Sequence, residues 1–97
     1  MTDKTLIRPD SKPRRQPGFF LDQENEETCL LHESHDGVIT LNEFAVLVWR
    51  MCDGKRSIEE NIVLLQGAYP DEKAQIPPQV YSVILELLEA AALTLEE

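Results

Sequence analysis

The 97-residue sequence lacks the marks of several protein classes. It has no run of about 18 apolar residues, so it predicts no transmembrane helix. No apolar signal-peptide core is present near the N-terminus, which favours a cytoplasmic location. Only four glycines occur, and they match neither a phosphate-binding loop nor a dinucleotide fingerprint. No serine lies in a nucleophile-elbow pattern. These absences argue against a membrane protein and against the common enzyme sites.

Cysteine and histidine are also scarce, with two of each. In the cytoplasm both cysteines are expected to be free thiols that pack as small apolar side chains. A zinc site built from Cys29, His32, His35 and Cys52 is conceivable. The spacing disfavours it, because Cys29 and His32 would point to opposite faces of a strand. We therefore expect no metal site.

Positive charge is missing from the C-terminal part of the chain, where no Lys or Arg follows Lys73. The net charge of the chain is −9. Residues 1–15 contain five Lys or Arg and two Asp, so residues 16–97 carry a net charge of −12. Such a body repels nucleic acid and anionic membranes and attracts cationic partners. A winged-helix DNA-binding protein needs Lys or Arg side chains near the DNA phosphates, so DNA binding is a weak alternative.

The chain divides into a tail and one domain. Residues 1–17 predict a basic, proline-containing flexible tail, and residues 18–97 a single domain. Three strand candidates open the domain, and Asp36-Gly37 predicts a hairpin turn between the last two, because a type I′ turn needs positive φ at both central positions. The candidates lie at 18–22, 28–33 and Val38–Leu41.

Three helices are predicted after the strands. Asn42 is a good N-cap for the first helix, in which Trp49 is expected to be buried. Ser57 and Glu60 form a capping box that opens the second, and one face of this helix is marked by Ile58, Ile62, Leu65 and Tyr69. Pro77-Pro78 leads into the third, which is expected from about Gln79 to Ala92. The order of three strands and then three helices predicts an α+β fold with a small three-stranded antiparallel sheet.

The last helix is more apolar than a helix that is buried on one side. At about 100° per residue its apolar arc spans roughly 200°. It contains two stripes, one with Val80, Ile84, Leu87 and Ala91, the other with Tyr81, Leu85, Leu88 and Ala92. The second stripe either packs in the core as well or lines a groove beside a sheet edge, where a partner strand could add. The sequence leaves both interpretations open.

Several motifs in this order resemble the PqqD family. The stretch Ile39-Thr40-Leu41-Asn42-Glu43 is followed by Val48-Trp49, then Cys52-Asp53-Gly54, then Ser57-Ile58-Glu59-Glu60. The resemblance covers residues 18–97. It implies a winged-helix-like fold and a recognition element for ribosomally made peptides that are later modified, with no catalytic residue, cofactor or metal of its own.

The resemblance also implies the partners and the site. The leader of a precursor peptide would add as a strand to the third strand and pack against the last helix, and a modifying enzyme, often of the radical S-adenosylmethionine type, would receive it. The expected peptide-binding residues are Val38, Ile39, Thr40, Leu41, Tyr81, Leu85 and Leu88. No nucleic-acid or membrane partner is expected. A protein–protein adaptor or dimerisation module of another pathway is the main alternative.

Overall fold

A computed structural model describes residues 7–24 and 26–96 of the chain. Strands β2 (Phe19–Glu24), β3 (Glu27–His32) and β4 (His35–Leu41) form an antiparallel sheet in that order, and three helices follow it. This confirms the predicted α+β, winged-helix-like arrangement. The elements are β1 (Lys12–Arg15), β2 (Phe19–Glu24), β3 (Glu27–His32), β4 (His35–Leu41), α1 (Glu43–Met51), α2 (Ile58–Ala68), a 3-10 helix (Pro70–Glu72), α3 (Ile76–Glu89) and β5 (Leu93–Glu96).

The turn between β3 and β4 does not lie at Asp36-Gly37, so that prediction is wrong. The chain turns at Glu33 and Ser34, where the Ser34 amide donates to Nδ1 of His32 at 3.0 Å. Leu31 pairs with Val38 but His32 pairs with His35, which leaves Asp36 and Gly37 as a bulge in β4. An Asp-Gly pair suits a bulge as well as a hairpin turn, since glycine within a strand often marks one.

The predicted N-caps of the first two helices are confirmed. Oδ1 of Asn42 accepts a hydrogen bond from the Ala45 amide at 2.8 Å. The Glu60 carboxylate accepts from the Ser57 amide at 2.8 Å, and the Ser57 hydroxyl accepts from the Glu60 amide at 3.1 Å. Each bond satisfies a backbone donor that the helix start leaves unpaired. The sequence therefore fixes where α1 and α2 begin.

Residues 12–15 form a strand, which corrects the prediction that residues 1–17 are a tail without regular structure. β1 pairs with β5 in antiparallel register, with Pro13 opposite Leu95. Ser11 and Pro13 are almost completely buried. Alternating prolines and bases give no strand period, and the partner strand lies at the other end of the chain, so no local pattern reveals the pairing. Residues 1–6 of the predicted tail lie outside the described residues.

The N-terminal segment also completes the ends of two helices. The carbonyl oxygens of Pro9 and Ser11 accept from the first amides of α2, those of Glu59 and Ile58, each at 2.9 Å. At the C-terminal end of α1, Nη1 of Arg15 donates a hydrogen bond to the Arg50 carbonyl at 2.6 Å. Backbone groups at helix termini need such partners. The segment thus ties α1, α2 and β5 together.

α3 begins at Ile76, three residues before the predicted start, and ends at Glu89 instead of Ala92. Pro77 and Pro78 fit its first turn, because amides there have no intrahelical acceptor to bond. The first apolar stripe of α3 is core, as Val80, Ile84 and Leu87 are fully buried. Trp49 of α1 is buried as predicted, with 4% of its surface exposed. Its ring packs edge-on against the ring of Phe19, with the two ring centroids 6.2 Å apart.

Candidate peptide-binding site

β4 lies at an edge of the three-stranded sheet. Among the described strands it is hydrogen-bonded to β3 on one side only. Its regular pairing with β3 covers the residues from Val38 to Leu41, and the bulge at Asp36 and Gly37 interrupts the ladder before them. A strand directs the N–H and C=O of alternate residues to the same side, so about half of these residues point their backbone groups away from β3. The edge can therefore accept another strand.

The side chains of this segment alternate between the core and solvent. Leu41 is 4% exposed and Ile39 is half-buried against the core, on the same sheet face as Leu30. Val38, at 60% exposure, and Thr40 lie on the outer face. The four predicted strand residues thus offer an accessible backbone and two accessible side chains.

The outer face of the sheet carries an apolar row that the sequence did not reveal. Phe20, Leu31 and Val38 lie opposite one another on adjacent strands. Phe20 is 47% exposed, and Leu31 is half-buried. Residues that pair across strands share a face, so the row follows from the register, which sequence alone could not supply once the turn was misplaced.

The second stripe of α3 is only partly buried. Tyr81, Leu85 and Leu88 are all half-buried, and Tyr81 and Leu88 pack against the core cluster, whereas Leu85 is not among the residues packed on it. Partial desolvation, together with the nearby carboxylate of Glu59, raises the pKa of Tyr81.

Among the described side chains, the two thiols and His32 do not form a reactive cluster. Burial raises the pKa of the Cys52 thiol to about 12, and its Sγ donates to the Val48 carbonyl at 3.0 Å. A thiol with that pKa stays protonated near neutral pH and is a poor nucleophile. Cys29 lies on the outer sheet face, while His32 packs against Phe19 with ring centroids 4.6 Å apart. Within residues 7–24 and 26–96, no three His, Cys, Asp or Glu side chains are placed to hold a metal ion.

A shallow cleft lies on the outer side of α1, and we call it the α1 cleft. It consists of two adjoining cavities of about 300 and 190 Å³ that share Glu43, Leu47 and Tyr69. The sequence placed Tyr69 on the buried face of α2, but its side chain is 42% exposed. The remaining lining residues are Thr28 and Val46 in the first cavity and Phe44, Glu72, Ile76 and Gln79 in the second.

Comparison with known proteins gives one family. The family model described as Coenzyme PQQ synthesis protein D (PqqD) matches residues 27–93. The match starts at β3 and reaches the first residue of β5, so it includes β4 and all three helices. No curated protein and no solved structure gives a significant match. Across the part of the chain that the structure describes, no helix is long and apolar enough to cross a membrane.

Proposed function

This chain belongs to the PqqD family, and from that membership we propose that it binds the leader of a ribosomally made precursor peptide and presents it to a modifying enzyme. Members of the family are non-catalytic accessory proteins, which supports a recognition role. The modifying enzyme is proposed to be of the radical S-adenosylmethionine type. In this proposal the module supplies binding and orientation, and the enzyme supplies the chemistry.

The position of Val38–Leu41 in the edge strand of the described sheet is the observation that carries the proposal. A leader that pairs with Val38–Leu41 would gain backbone hydrogen bonds whatever its side chains are. The bulge at Asp36 and Gly37 limits the regular ladder to about four residues of β4. We therefore propose a short added strand whose alternate side chains face the core side and the outer face.

Selectivity is proposed to come from the side chains beside the edge. On the outer face, a peptide residue opposite Val38 would extend the apolar row of Phe20 and Leu31. On the other face, we propose that Tyr81, Leu85 and Leu88 of α3 contact the leader. Leu85 is the best candidate of the three, because it is half-buried without packing on the core cluster.

A protein–protein adaptor or dimerisation module is the second candidate function. The exposed apolar row of Phe20, Leu31 and Val38 favours it, because a contiguous apolar surface often marks a protein contact. DNA binding has no comparable support, since the exposed residues of α3 include Glu86 and Glu89 but no Lys or Arg. A stable dimer whose formation excludes the leader would favour the adaptor.

The substitution Leu85→Glu tests the proposed groove. A carboxylate placed against a bound peptide would be desolvated without a partner, so we expect binding of a precursor leader to weaken by about tenfold or more. Circular dichroism should show an intact fold. The measurement is titration of the leader encoded beside this gene. Val63→Glu is the matched control. Val63 is 60% exposed on α2, so this variant should bind the leader as tightly as the wild type does.

The two contrary outcomes have different meanings. If Leu85→Glu folds and binds normally, the leader does not use this side of α3. If Leu85→Glu unfolds while Val63→Glu does not, the second stripe belongs to the core.

A further inference from the structure

We propose that the α1 cleft is a docking site for an arginine or lysine side chain of the modifying enzyme, an inference that rests on the proposed function. Nothing in the leader site uses this cleft, since the two share no residue. A module that presents a peptide must hold its enzyme at a surface that the peptide leaves free.

The shape of the cleft suits a long side chain with an apolar stem. Leu47 lies at the junction of the two cavities, and the buried Ile76 and half-buried Phe44 line one of them. The exposed ring of Tyr69 borders both. Arginine and lysine lay their methylene stems along apolar surface of this kind while the charged group stays near water.

The charge of the cleft selects a cation. Glu43 and Glu72 are exposed lining residues, and no Lys or Arg lines either cavity. The Tyr69 ring adds a face on which a guanidinium can stack. The cleft combines two carboxylates, one aromatic ring and apolar lining residues. This combination suits an arginine better than any neutral or acidic group. The −12 charge on residues 16–97 would also steer a basic partner toward the molecule.

The cleft and the proposed leader site lie on different sides of α3. Gln79 lines the cleft next to α1, whereas Tyr81, two residues further along the helix, lines neither cavity. Two residues of an α-helix turn through about 200°, which agrees with this separation. The cleft begins beside the C-terminal end of β4, where its lining residue Thr28 pairs with Leu41. The enzyme would therefore bind next to a leader on β4 without sharing a residue with it.

Two short peptides test the inference without knowledge of the enzyme. The probe is acetyl-Leu-Arg-Leu-amide, and its control carries citrulline, which keeps the shape of arginine without the charge. Amide shifts of the ¹⁵N-labelled full chain are followed by NMR. We expect saturable shifts at Leu47, Tyr69 and Gln79 with the arginine peptide, and binding weaker by about fivefold or more with citrulline.

Three variants locate the interaction. Tyr69→Ala and Glu72→Gln should each weaken binding of the arginine peptide by about threefold. That is the usual contribution of one exposed cation–π or ion-pair contact. Glu33→Gln, in the exposed turn between β3 and β4, removes the same charge elsewhere and should have no effect. Equal binding of both peptides, shifts outside the cleft, or equal losses in all three variants would overturn the inference. The leader titration above is independent, so each proposal can fail alone.

Discussion

Ala91 holds a backbone conformation that suits glycine. Its φ is 61°, in the left-handed region, directly after the C-cap of α3 at Ala90. The Ala92 amide donates to the Leu87 carbonyl at 2.8 Å, and the Ala91 amide donates to that of Leu88 at 3.0 Å. These two bonds form a Schellman motif, in which the left-handed residue is usually glycine because a Cβ is strained there.

We therefore expect Ala91→Gly to stabilise the protein. Removal of the Cβ relieves strain in the folded state, and the gain should exceed the added entropy of the unfolded chain by about 0.5–1 kcal/mol. Ala90→Gly is the matched control, since Ala90 has an ordinary φ of −86° and should gain no stability. Urea unfolding of both variants measures the difference. Equal effects of the two substitutions would contradict a strained Ala91.

Single residues were predictable where the signal is local. Asn42 and Ser57 bond amides three residues ahead, so the sequence alone contains both partners of each cap. Tyr69 was misplaced because the period of Ile58, Ile62 and Leu65 assumes that the helix continues. α2 ends at Ala68, and the φ of −130° and ψ of 68° at Tyr69 take its side chain off the buried face. The sequence did contain a signal for this helix end, because Tyr69 precedes Pro70 and the residue before a proline is disfavoured in the helical region.

At the scale of elements, β1 and the residues before it hold the helices in place. Pro9 and Ser11 satisfy the first amides of α2, and Arg15 satisfies carbonyls at the end of α1. The guanidinium of Arg15 also lies 6.0 Å from the centre of the Trp49 ring. β1 covers β5, whose Leu93 is 3% exposed. The N-terminal segment is therefore a structural part of the domain.

Deletion of residues 1–16 should destabilise the domain by roughly 2 kcal/mol or more, since several helix-end hydrogen bonds are worth about 1 kcal/mol each and Leu93 becomes exposed. For a domain of this size, the melting temperature should fall by about 8 °C or more. Deletion of residues 1–6 alone is the reference, so that the difference in melting temperature between the two truncated proteins reports on residues 7–16. Equal melting of the two truncated proteins would show that β1 contributes little.

The elements differ in how far the sequence predicts them. β2, β3, β4 and the three helices follow from short-range alternation, helical period and caps. The β1–β5 pair joins opposite ends of the chain. Leu93-Thr94-Leu95 alternates as a strand does, but the run Lys12–Arg15 does not, so the sequence shows no partner for it. The register of β3 and β4 was misread because Asp36-Gly37 fits a bulge and a turn equally well. Non-local pairing and ambiguous turn signals thus account for the errors.

The whole molecule presents two separate surfaces. One is the edge of β4, with the outer apolar row beside it, and the other is the acidic α1 cleft. The sequence indicated Val38–Leu41 as a candidate edge strand and showed the apolar excess of α3. It did not specify which side of the sheet that strand occupies or how α3 lies relative to the sheet. That arrangement depends on packing of α3 between α1 and α2, which a helical wheel does not specify. The cleft likewise requires the position of Tyr69 relative to α1.

Amide hydrogen exchange along β4 tests the central claim most directly. Binding of a leader as an added strand should slow exchange by about tenfold or more at about half of the amides of Val38–Leu41, those that point away from β3. The other amides of this segment are already bonded to β3 and should change little. Protection of the α1 cleft or the outer sheet face, with no change at Val38–Leu41, would contradict strand addition at this edge.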